Sequence, residues 1–448
     1  MRKHRLHLLA LALMVAFAVL AAGCGGDDDD EGAATGGATT GGADTGAAQE
    51  DVSGEVSVMS TWSGPEQESF QAVIDGFTEL YPNVEVSYDS AGDALPTVLS
   101  TAVEGGSPPD VAVVPQPGLV QQYVERGALQ PLDFAQDTIA ENFAESVIEV
   151  GTFDDQLYAV LFKASNKSTY WYNVQAFQDA GVEPTEDWEE FLANAETIKA
   201  SGLPAYSIGG AEGWTLTDLF ENIYLRTAGA DMYDQLSRHE IPWTDQSVKD
   251  ALTEMAKIVG DVDNIVGGTQ GALQSDFTTS VSNVFTANPK GAEVIEGDFV
   301  PGVVESPLEP ETGYNVSVFP SINDSPPSIV ASGDLAVMFE SSPAAEAFVE
   351  YLATPEAAAI WAGRGGFSSA NQNLDPSAYP DAITATTAGA VAEAEQFRFD
   401  LSDLQPSEFG STEGQGLWKL FQDFVADPDD VDGIAQQMEE AAAAAYGN

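Results

Sequence analysis

The sequence predicts an α/β fold that is built as two lobes. Short apolar segments typical of strands alternate with amphipathic segments typical of helices, in the order β-α-β-α-β where the folded part begins. A second strand-like region returns after residue 314, beyond a long helical stretch. The stretch from 52 to 448 is also longer than one ordinary domain. We therefore expect two α/β units with a cleft between them.

The N-terminal residues have the pattern of an export signal. Arg2, Lys3 and Arg5 precede a mainly apolar stretch from Leu6 to Ala22 that contains no Lys, Arg, Asp or Glu. This stretch is shorter than the ~20 residues that a membrane-spanning helix needs, and small residues follow it. We interpret residues 1–23 as a secretory signal peptide, and a retained membrane helix is the alternative.

Cys24 is the single cysteine and stands where the signal peptide is expected to end. The run Leu20-Ala21-Ala22-Gly23 before it resembles a bacterial lipobox, although Ala21 stands where leucine is usual. This resemblance implies that Cys24 is a lipid anchor, which would hold the protein on the extracytoplasmic face of the cell membrane. A free or buried thiol is the alternative, and one cysteine forms no intrachain disulfide.

Residues 24–53 have the composition of a tether. They contain four consecutive aspartates, and glycine, alanine, threonine and further acidic residues make up most of the rest. Such a segment buries too little apolar area to offset the entropy of folding. We therefore expect a disordered linker between the anchor and the folded part.

The charge of the chain excludes several partners. It has 72 acidic and 15 basic residues, with a formal net charge of −57. Such a surface repels nucleic acid and anionic lipid headgroups, so a membrane contact is expected only through the anchor. The chain has neither the Walker nor the Rossmann glycine motif and no cluster of Cys or His. We expect no cofactor and no such metal site, whereas an oxygen-only calcium site stays open.

The first α/β unit is predicted segment by segment. Its predicted strands are Val56–Met59, Val84–Tyr88 and Val111–Val114, and its predicted helices begin at Pro65 and span Leu95–Glu104. The first helix has apolar residues at the spacing of one helix face, at Phe70, Val73, Ile74 and Phe77. The continuous apolar run of Val111–Val114 is typical of a buried parallel strand.

The remainder of the chain is predicted more coarsely. The stretch from Asn173 to Val259 is mostly helical and rich in aromatic residues. Further strands are expected at Tyr314–Phe319 and Leu335–Phe339, and further helices at Ala344–Leu352, Pro355–Ala362 and Gly416–Phe424.

Several strings, taken in order along the chain, resemble the family 1 extracellular solute-binding proteins. They include Trp62-Ser63-Gly64-Pro65-Glu66, Pro108-Pro109-Asp110-Val111, Leu157-Tyr158-Ala159-Val160 and Asp187-Trp188-Glu189-Glu190-Phe191. Other strings resemble the α-glucoside-binding branch of that family. They include Pro115–Gly118, Phe162–Ser168, Gly213–Asp218, Glu296–Val300, Gly365–Ser368 and Phe399–Leu404. The sequence departs from the usual Ser-Pro-Asn at Ser369-Ala370-Asn371.

The resemblance implies a periplasmic-binding-protein fold of type II, like that of maltose-binding protein, with the ligand cleft between two hinged lobes. The N-terminal lobe would comprise 54–163 and about 315–370, and the C-terminal lobe 164–314 and about 371–448. The implied function is that of an ABC importer's solute-binding component, a monomer without enzymatic activity. It would deliver a neutral sugar, such as an α-glucoside or short oligosaccharide, to the permease. The alternatives are a polyol, an amino-sugar or glycerol phosphate as ligand, or a secreted glycoside hydrolase.

A sugar site needs aromatic walls for the C–H faces of the ring and fixed polar groups for its hydroxyls. Trp62 follows a strand and Trp214 lies in a glycine-rich loop, and both positions favour the cleft, with core packing as the alternative. Trp188, Trp361 and Trp418 lie on helical stripes and are expected in the core. The candidate ligand-binding residues are Trp62, Glu66, Gln116, Lys163, Asn166, Trp171, Tyr172, Trp214, Asp218, Glu296, Asp298 and Phe367.

The charged candidates Glu66 and Lys163 could have a structural role in place of ligand binding. Glu66 lies in the first turn of a predicted helix, where a carboxylate also stabilises the helix N-terminus. Lys163 and Lys167 are close together in an otherwise acidic chain, so nearby carboxylates are alternative partners for both.

Overall fold

A computed structural model describes residues 49, 51–303, 307–393 and 396–447. The first part of the chain forms β1 (Ser53–Ser60), α1 (Gly64–Leu80), β2 (Asn83–Ser90), α2 (Leu95–Glu104), β3 (Val111–Val114), α3 (Pro117–Glu125), α4 (Gln136–Asn142), α5 (Glu145–Val150), β4 (Thr152–Phe153), β5 (Gln156–Leu157) and β6 (Ala159–Asn166). All the strands and helices predicted for the first unit are present, and α2 has the predicted bounds.

The middle part is mainly helical, as expected. It forms β7 (Thr169–Asn173), α6 (Val174–Ala180), α7 (Trp188–Ser201), α8 (Trp214–Ala228), α9 (Ala230–Ser237), α10 (Gln246–Val259), α11 (Gly268–Gln274), α12 (Phe277–Val284), β8 (Glu293–Ile295) and β9 (Tyr314–Val318). The last part forms β10 (Ser328–Met338), α13 (Pro343–Leu352), α14 (Pro355–Ala362), α15 (Ala382–Glu393), β11 (Gln396–Phe399), α16 (Ser407–Gly410), α17 (Gly416–Ala426) and α18 (Val431–Tyr446).

A six-stranded sheet organises the first unit. Its main path is β11-β10-β3-β1-β2, and β6 also pairs with β10. β1 is parallel to β2 and β3, whereas β10 is antiparallel to β3 and β6. The side chains of β3 alternate between two hydrophobic clusters, so both faces of the sheet are covered by apolar side chains.

β10 is longer than the sequence predicts. The expected strand Leu335–Phe339 covers only the last four residues of β10, because the polar run Ser332-Gly333-Asp334 precedes them. Gly333 is required there, since a Cβ at this position would lie 2.7 Å from the backbone oxygen of Lys163 in β6. The pairing of β10 with β6 shifts register between Asp334 and Leu335. This part of β10 is therefore a strand because it packs closely against β6. It lacks the apolar pattern from which strands are predicted in the sequence.

A three-stranded antiparallel sheet with the order β8-β7-β9 organises the second unit. Every residue of β7 is buried. The largest hydrophobic cluster of this unit joins α7, α8, α10, α17 and α18, and a smaller cluster surrounds Trp171 on the central strand. The described helices are all too short or too polar to span a bilayer.

Two short links connect the two sheets. Lys167 and Ser168 lie between β6 of the six-stranded sheet and β7 of the three-stranded sheet. The chain returns to the six-stranded sheet between Val318, which ends β9, and Ser328, which begins β10. The sequence suggests that the chain re-enters the N-terminal lobe near residue 315. Because β9 pairs with β7 of the three-stranded sheet, the chain re-enters only after Val318.

Trp188 lies in the core, as predicted. It is 2% exposed, and its ring stacks on those of Phe191 and Phe319, each with a centroid distance of 5.8 Å. Its Nε1 donates to Glu254 Oε2 at 2.7 Å. The ring therefore joins α7 to α10 and to the link after β9.

Replacing Trp188 with alanine is expected to lower the free energy of unfolding by about 3–5 kcal/mol, because it removes a buried aromatic ring and leaves a cavity. A denaturant titration measures this loss. Val262→Ala is the control, since Val262 is 49% exposed and its truncation should change stability little. Equal midpoints for the wild type and Trp188→Ala would contradict the assignment.

Candidate ligand-binding site

A cavity of about 490 Å³ lies at the ends of elements from both sheets. Its wall includes the β1–α1 turn, the β3–α3 turn and β6 from the first unit. The second unit contributes the first turns of α8 and α12, the segment after β8 and the first turn of α17. This volume is in the range of small-molecule sites in proteins.

Three partly exposed rings form one side of the cavity. Trp214 begins α8, Phe277 begins α12 and Phe299 follows β8. The ring of Trp214 lies edge-to-face on Phe277 at 4.9 Å and is tilted to Phe299 at 6.2 Å, and the other two rings are 5.6 Å apart. These rings from three elements support one another and still present apolar surface to the cavity. We refer to them as the aromatic wall.

Trp62 also lines the cavity, but most of its surface is used in packing. It is 3% exposed, and its ring lies 4.8 Å from Phe70 and 4.7 Å from Trp361. The backbone oxygen of Trp62 accepts from Tyr88 Oη at 2.7 Å. The sequence left a cleft residue and a core residue as alternatives for Trp62. In the structure Trp62 packs in the core and also lines the cavity.

Lys163 and Glu66 form an ion pair in the cavity wall. The distance from Lys163 Nζ to Glu66 Oε1 is 2.7 Å, and the same nitrogen lies 5.0 Å from the ring of Trp361 and 5.6 Å from that of Phe299. Burial alone would lower the pKa of Lys163, but the charges of Glu66 and Asp334 raise it overall. Lys163 is therefore held as a neutralised cation.

Lys167 is buried between two carboxylates. Its Nζ lies 2.9 Å from Asp218 Oδ1 of α8 and 2.6 Å from Asp400 Oδ2 after β11. Burial acts to lower the pKa of Lys167, but Asp218, Asp400 and Asp403 raise it well above its usual value. Among the described cavity-lining residues, Lys163 and Lys167 are the only lysines or arginines, and both are paired. The cavity thus has no free cation for an anionic ligand.

The cavity carries more carboxyl groups than these ion pairs use. Burial raises the pKa of Asp93 to about 6, and the charges of Glu413 and Glu66 add to the shift. Burial likewise raises the pKa of Glu212 to about 7, with a contribution from Asp93 and from Asp276. In the described part of the chain, no group of three or more His, Cys, Asp or Glu residues is arranged to hold a metal ion.

Of the twelve candidates from the sequence, five line the cavity: Trp62, Glu66, Gln116, Lys163 and Trp214. The others lie behind its wall. Asn166 Oδ1 accepts from the backbone N–H of Ser168 and so stabilises the link between the sheets. Asp218 reaches the site only through its ion pair with Lys167.

Trp171 and Tyr172 do not reach the cavity, because both belong to the buried strand β7. The Trp171 ring is wholly buried beside Phe285, and its Nε1 donates to the backbone oxygen of Gly297 at 3.0 Å. Tyr172 packs on Phe177 at 4.4 Å.

Glu296, Asp298 and Phe367 also lie outside the wall. Glu296 is buried beside a second, smaller cavity. Asp298 accepts from Ser368 Oγ at 2.6 Å, and Phe367 stacks on Trp361 at 5.4 Å. Both contacts are internal to the protein, and the bond between Asp298 and Ser368 joins segments that are 70 residues apart in sequence.

Sequence reasoning missed Phe277, Phe299, Asp400 and Trp418, which all line the cavity. Phe299 and Asp400 lie inside strings that resemble the α-glucoside-binding branch, so a signal for them existed. Phe277 is the first residue of α12 and follows the N-cap residue Asp276. This position did not distinguish it in the sequence as a cavity residue. Trp418 is buried, as expected from its helical stripe, but the cavity and not a core lies beside it.

Comparison with known proteins gives a consistent picture. The model of the bacterial extracellular solute-binding protein family matches residues 61–359. The osmoprotective compounds-binding protein GgtB of Synechocystis sp. is 31% identical over 388 residues, covering 84% of this chain and 89% of that protein. The α-glucosides-binding periplasmic protein AglE of Rhizobium meliloti is 30% identical over 401 residues, covering 86% of each chain.

The fold is also found among solved structures. The bacterial solute receptor AcbH, described with an exclusive preference for β-D-galactopyranose, matches with a TM-score of 0.79 at 19% identity. The match covers 88% of this chain and 99% of that one. It confirms the predicted two-lobed α/β fold.

Replacing Glu212 with glutamine is expected to raise the melting temperature at pH 8 and to leave it unchanged at pH 4. Because burial raises the pKa of Glu212 from 4.5 to about 7, the native state holds a proton that the unfolded state loses between these values. Native stability therefore falls as pH rises through this window. Above it the wild type carries a partly buried carboxylate, which the variant lacks.

Thermal melts from pH 4 to pH 8 measure the effect. Glu68→Gln is the matched control, since Glu68 is exposed on α1 and its replacement should change the melting temperature little. A Glu212→Gln profile parallel to that of the wild type would contradict the prediction.

Proposed function

The chain belongs to the bacterial extracellular solute-binding protein family, and we propose that it is the sugar-binding component of an ABC importer. Proteins of this family act outside the cytoplasm and bind solutes without transforming them. Membership therefore gives an extracytoplasmic location, and it accounts for the expected absence of enzymatic activity. The permease subunits of the importer are the expected protein partners.

The proposed ligand is a neutral sugar, either an α-glucoside or a short oligosaccharide. The observation that carries this proposal is the aromatic wall beside lysines that are already neutralised. Aromatic rings suit the apolar faces of a pyranose, and the absence of a free cation from the described wall disfavours phosphates and uronates. The name of AglE supports an α-glucoside, whereas GgtB, of similar identity, is named for osmoprotective compounds.

The proposed binding residues are those that line the cavity. From the first unit we propose Trp62, Glu66, Gln116 and Lys163, and from the second unit Trp214 with its neighbours in the aromatic wall. The lobe boundaries are also a proposal. We place the first segment of the N-terminal lobe at 54–166, three residues beyond the boundary that the sequence suggests, because β6 ends at Asn166. The return lies between Val318 and Ser328, since β9 pairs with a strand of the other sheet.

Attachment to the membrane is proposed to occur through lipid on Cys24. This residue and most of the tether lie outside the described residues, so the proposal depends on the lipobox resemblance and on the composition of 24–53. The folded part would act as a monomer at the end of its tether, free to bind sugar and to dock on the permease.

A saccharide panel tests the ligand class. We expect at least one of maltose, trehalose, sucrose and raffinose to raise the melting temperature, since a ligand at 100 times its dissociation constant stabilises the fold by about 2.7 kcal/mol. Trp214→Ala is expected to weaken this binding tenfold or more, because it removes the largest of the three partly exposed rings of the aromatic wall. Isothermal titration calorimetry measures the affinity.

Trp188→Ala is the matched control, since it removes an equally large ring that is buried in the core and does not line the cavity. This variant should bind the same sugar normally at a temperature where it is folded. A glucuronide or a sugar phosphate that binds more tightly than every neutral sugar would contradict the ligand class. Normal binding by Trp214→Ala would contradict the placement of the site.

Replacing Cys24 with serine is expected to release the protein from membranes and to leave its sugar affinity unchanged, because the tether separates the two functions. Lasting attachment needs more than one acyl chain. A serine at this position has no thiol to carry the lipid, so the variant would not be anchored. Fractionation of cells followed by a high-salt wash measures attachment. A serine variant that stays in the membrane fraction would contradict the proposed anchor.

A further inference from the structure

Trp418 is a buried indole that belongs to the cavity wall and not to a hydrophobic core. It is 4% exposed and lies in the first turn of α17, beside the cavity. The other buried tryptophans of the described residues each belong to a hydrophobic cluster; they are Trp62, Trp171, Trp188, Trp243 and Trp361. Trp418 is a member of none of these clusters.

The indole nitrogen of Trp418 has no hydrogen-bond acceptor among the described residues, although it is shielded from solvent. Buried N–H groups are nearly always paired in folded proteins, because an unpaired donor loses its hydrogen bonds to water without compensation. In a core this would be a defect, but at a cavity wall a ligand atom can supply the acceptor. The donor is therefore suited to a bound ligand.

Gly213 fixes the position of this indole. It has a φ of +105°, and a Cβ built on it would lie 2.6 Å from Trp418 Cβ and 2.7 Å from the Trp418 backbone oxygen. The N-terminus of α8 therefore packs directly on the backbone of α17. Because Trp214 follows Gly213, this contact holds the two indoles beside the same cavity.

Gln116 provides the complementary group from the first unit. It is the N-cap residue of α3, but its side chain makes no capping hydrogen bond. It is 4% exposed and lines the same cavity, and its Oε1 is shielded and without a donor among the residues that the structure describes. The wall thus presents a buried donor in Trp418 and a buried acceptor in Gln116, beside the Oε2 of Glu212, which is likewise unpaired in the described part of the chain, and hydroxyl groups satisfy donors and acceptors alike.

We propose that Trp418 and Gln116 determine specificity for an uncharged, hydroxyl-bearing ligand, with the indole N–H donating to one hydroxyl and the carboxamide oxygen accepting from another. This inference rests on the proposed function and deepens it. The two residues contact the ligand directly and come from different units, so they select ligands whose hydroxyls reach both sides of the cavity.

The test replaces Trp418 with phenylalanine, which keeps an aromatic ring and removes the N–H. Calorimetry with maltose, or with trehalose where maltose does not bind, is expected to show an affinity about three- to tenfold lower. A series of monodeoxy analogues of the same sugar then identifies the partner. One analogue is expected to bind the wild type more weakly and to lose nothing further in Trp418→Phe, because both changes remove the same hydrogen bond.

Trp243→Phe is the matched control. Its indole N–H is also shielded and without an acceptor in the described residues, but it lies in the large core cluster of the second unit. Its removal should leave sugar affinity unchanged. Gln116→Leu is a second, independent variant, and it is expected to show the same behaviour with a different deoxy analogue. Thermal melts in the absence of sugar establish that each variant is folded.

Wild-type affinity in folded Trp418→Phe and Gln116→Leu would overturn the inference. The inference would also be overturned if every deoxy analogue lost the same affinity, relative to the parent sugar, in the wild type and in both variants. In either case binding of the sugar by the wild type would leave the proposed function standing. If no neutral saccharide bound the wild type, the proposed function would fail, and this inference would fail with it.

Discussion

The ion pairs of Lys167 hold together the part of the molecule on which the site depends. Lys167 lies on the link between the two sheets, and its ammonium group contacts Asp218 in α8 and Asp400 after β11. All three side chains are buried, so loss of Lys167 would leave two buried carboxyl groups without their cation, at a cost of about 3–5 kcal/mol. Ser168, the next residue, accepts from the backbone N–H of Val330 in β10. These contacts join α8, which carries Trp214 of the aromatic wall, to the six-stranded sheet.

Much of the fold was predictable, because the first unit follows simple periodic rules. The spacing of Phe70, Val73, Ile74 and Phe77 gave α1, and the apolar run of β3 gave a strand that is buried on both faces. Periodicity does not predict a segment that is held in place by close backbone packing and not by burial of its own apolar side chains. The polar run Ser332-Gly333-Asp334 of β10 is an example, since Gly333 is there for close packing against β6 and not for its own propensity.

The candidate site was predictable in part, for a related reason. Position at the end of a strand indicated Trp62 and Gln116, and a glycine-rich loop indicated Trp214, because both features direct side chains to a crevice. Trp171 and Phe367 have the same residue chemistry but face inward, and a local pattern does not distinguish the two sides of a buried strand or loop. Trp418 shows the converse, since its helical stripe is the same whether a core or a cavity lies beside it.

The pairing of Lys163 and Lys167 has a consequence for chemical labelling. An amine-reactive reagent attacks the neutral form of a lysine, and the surrounding carboxylates raise the pKa of both these residues, which are also buried. The lysines on the helices of the second unit, such as Lys249, Lys257 and Lys419, are partly open to solvent. Fluorophores coupled to amines will therefore collect on that unit and leave the cavity unmodified.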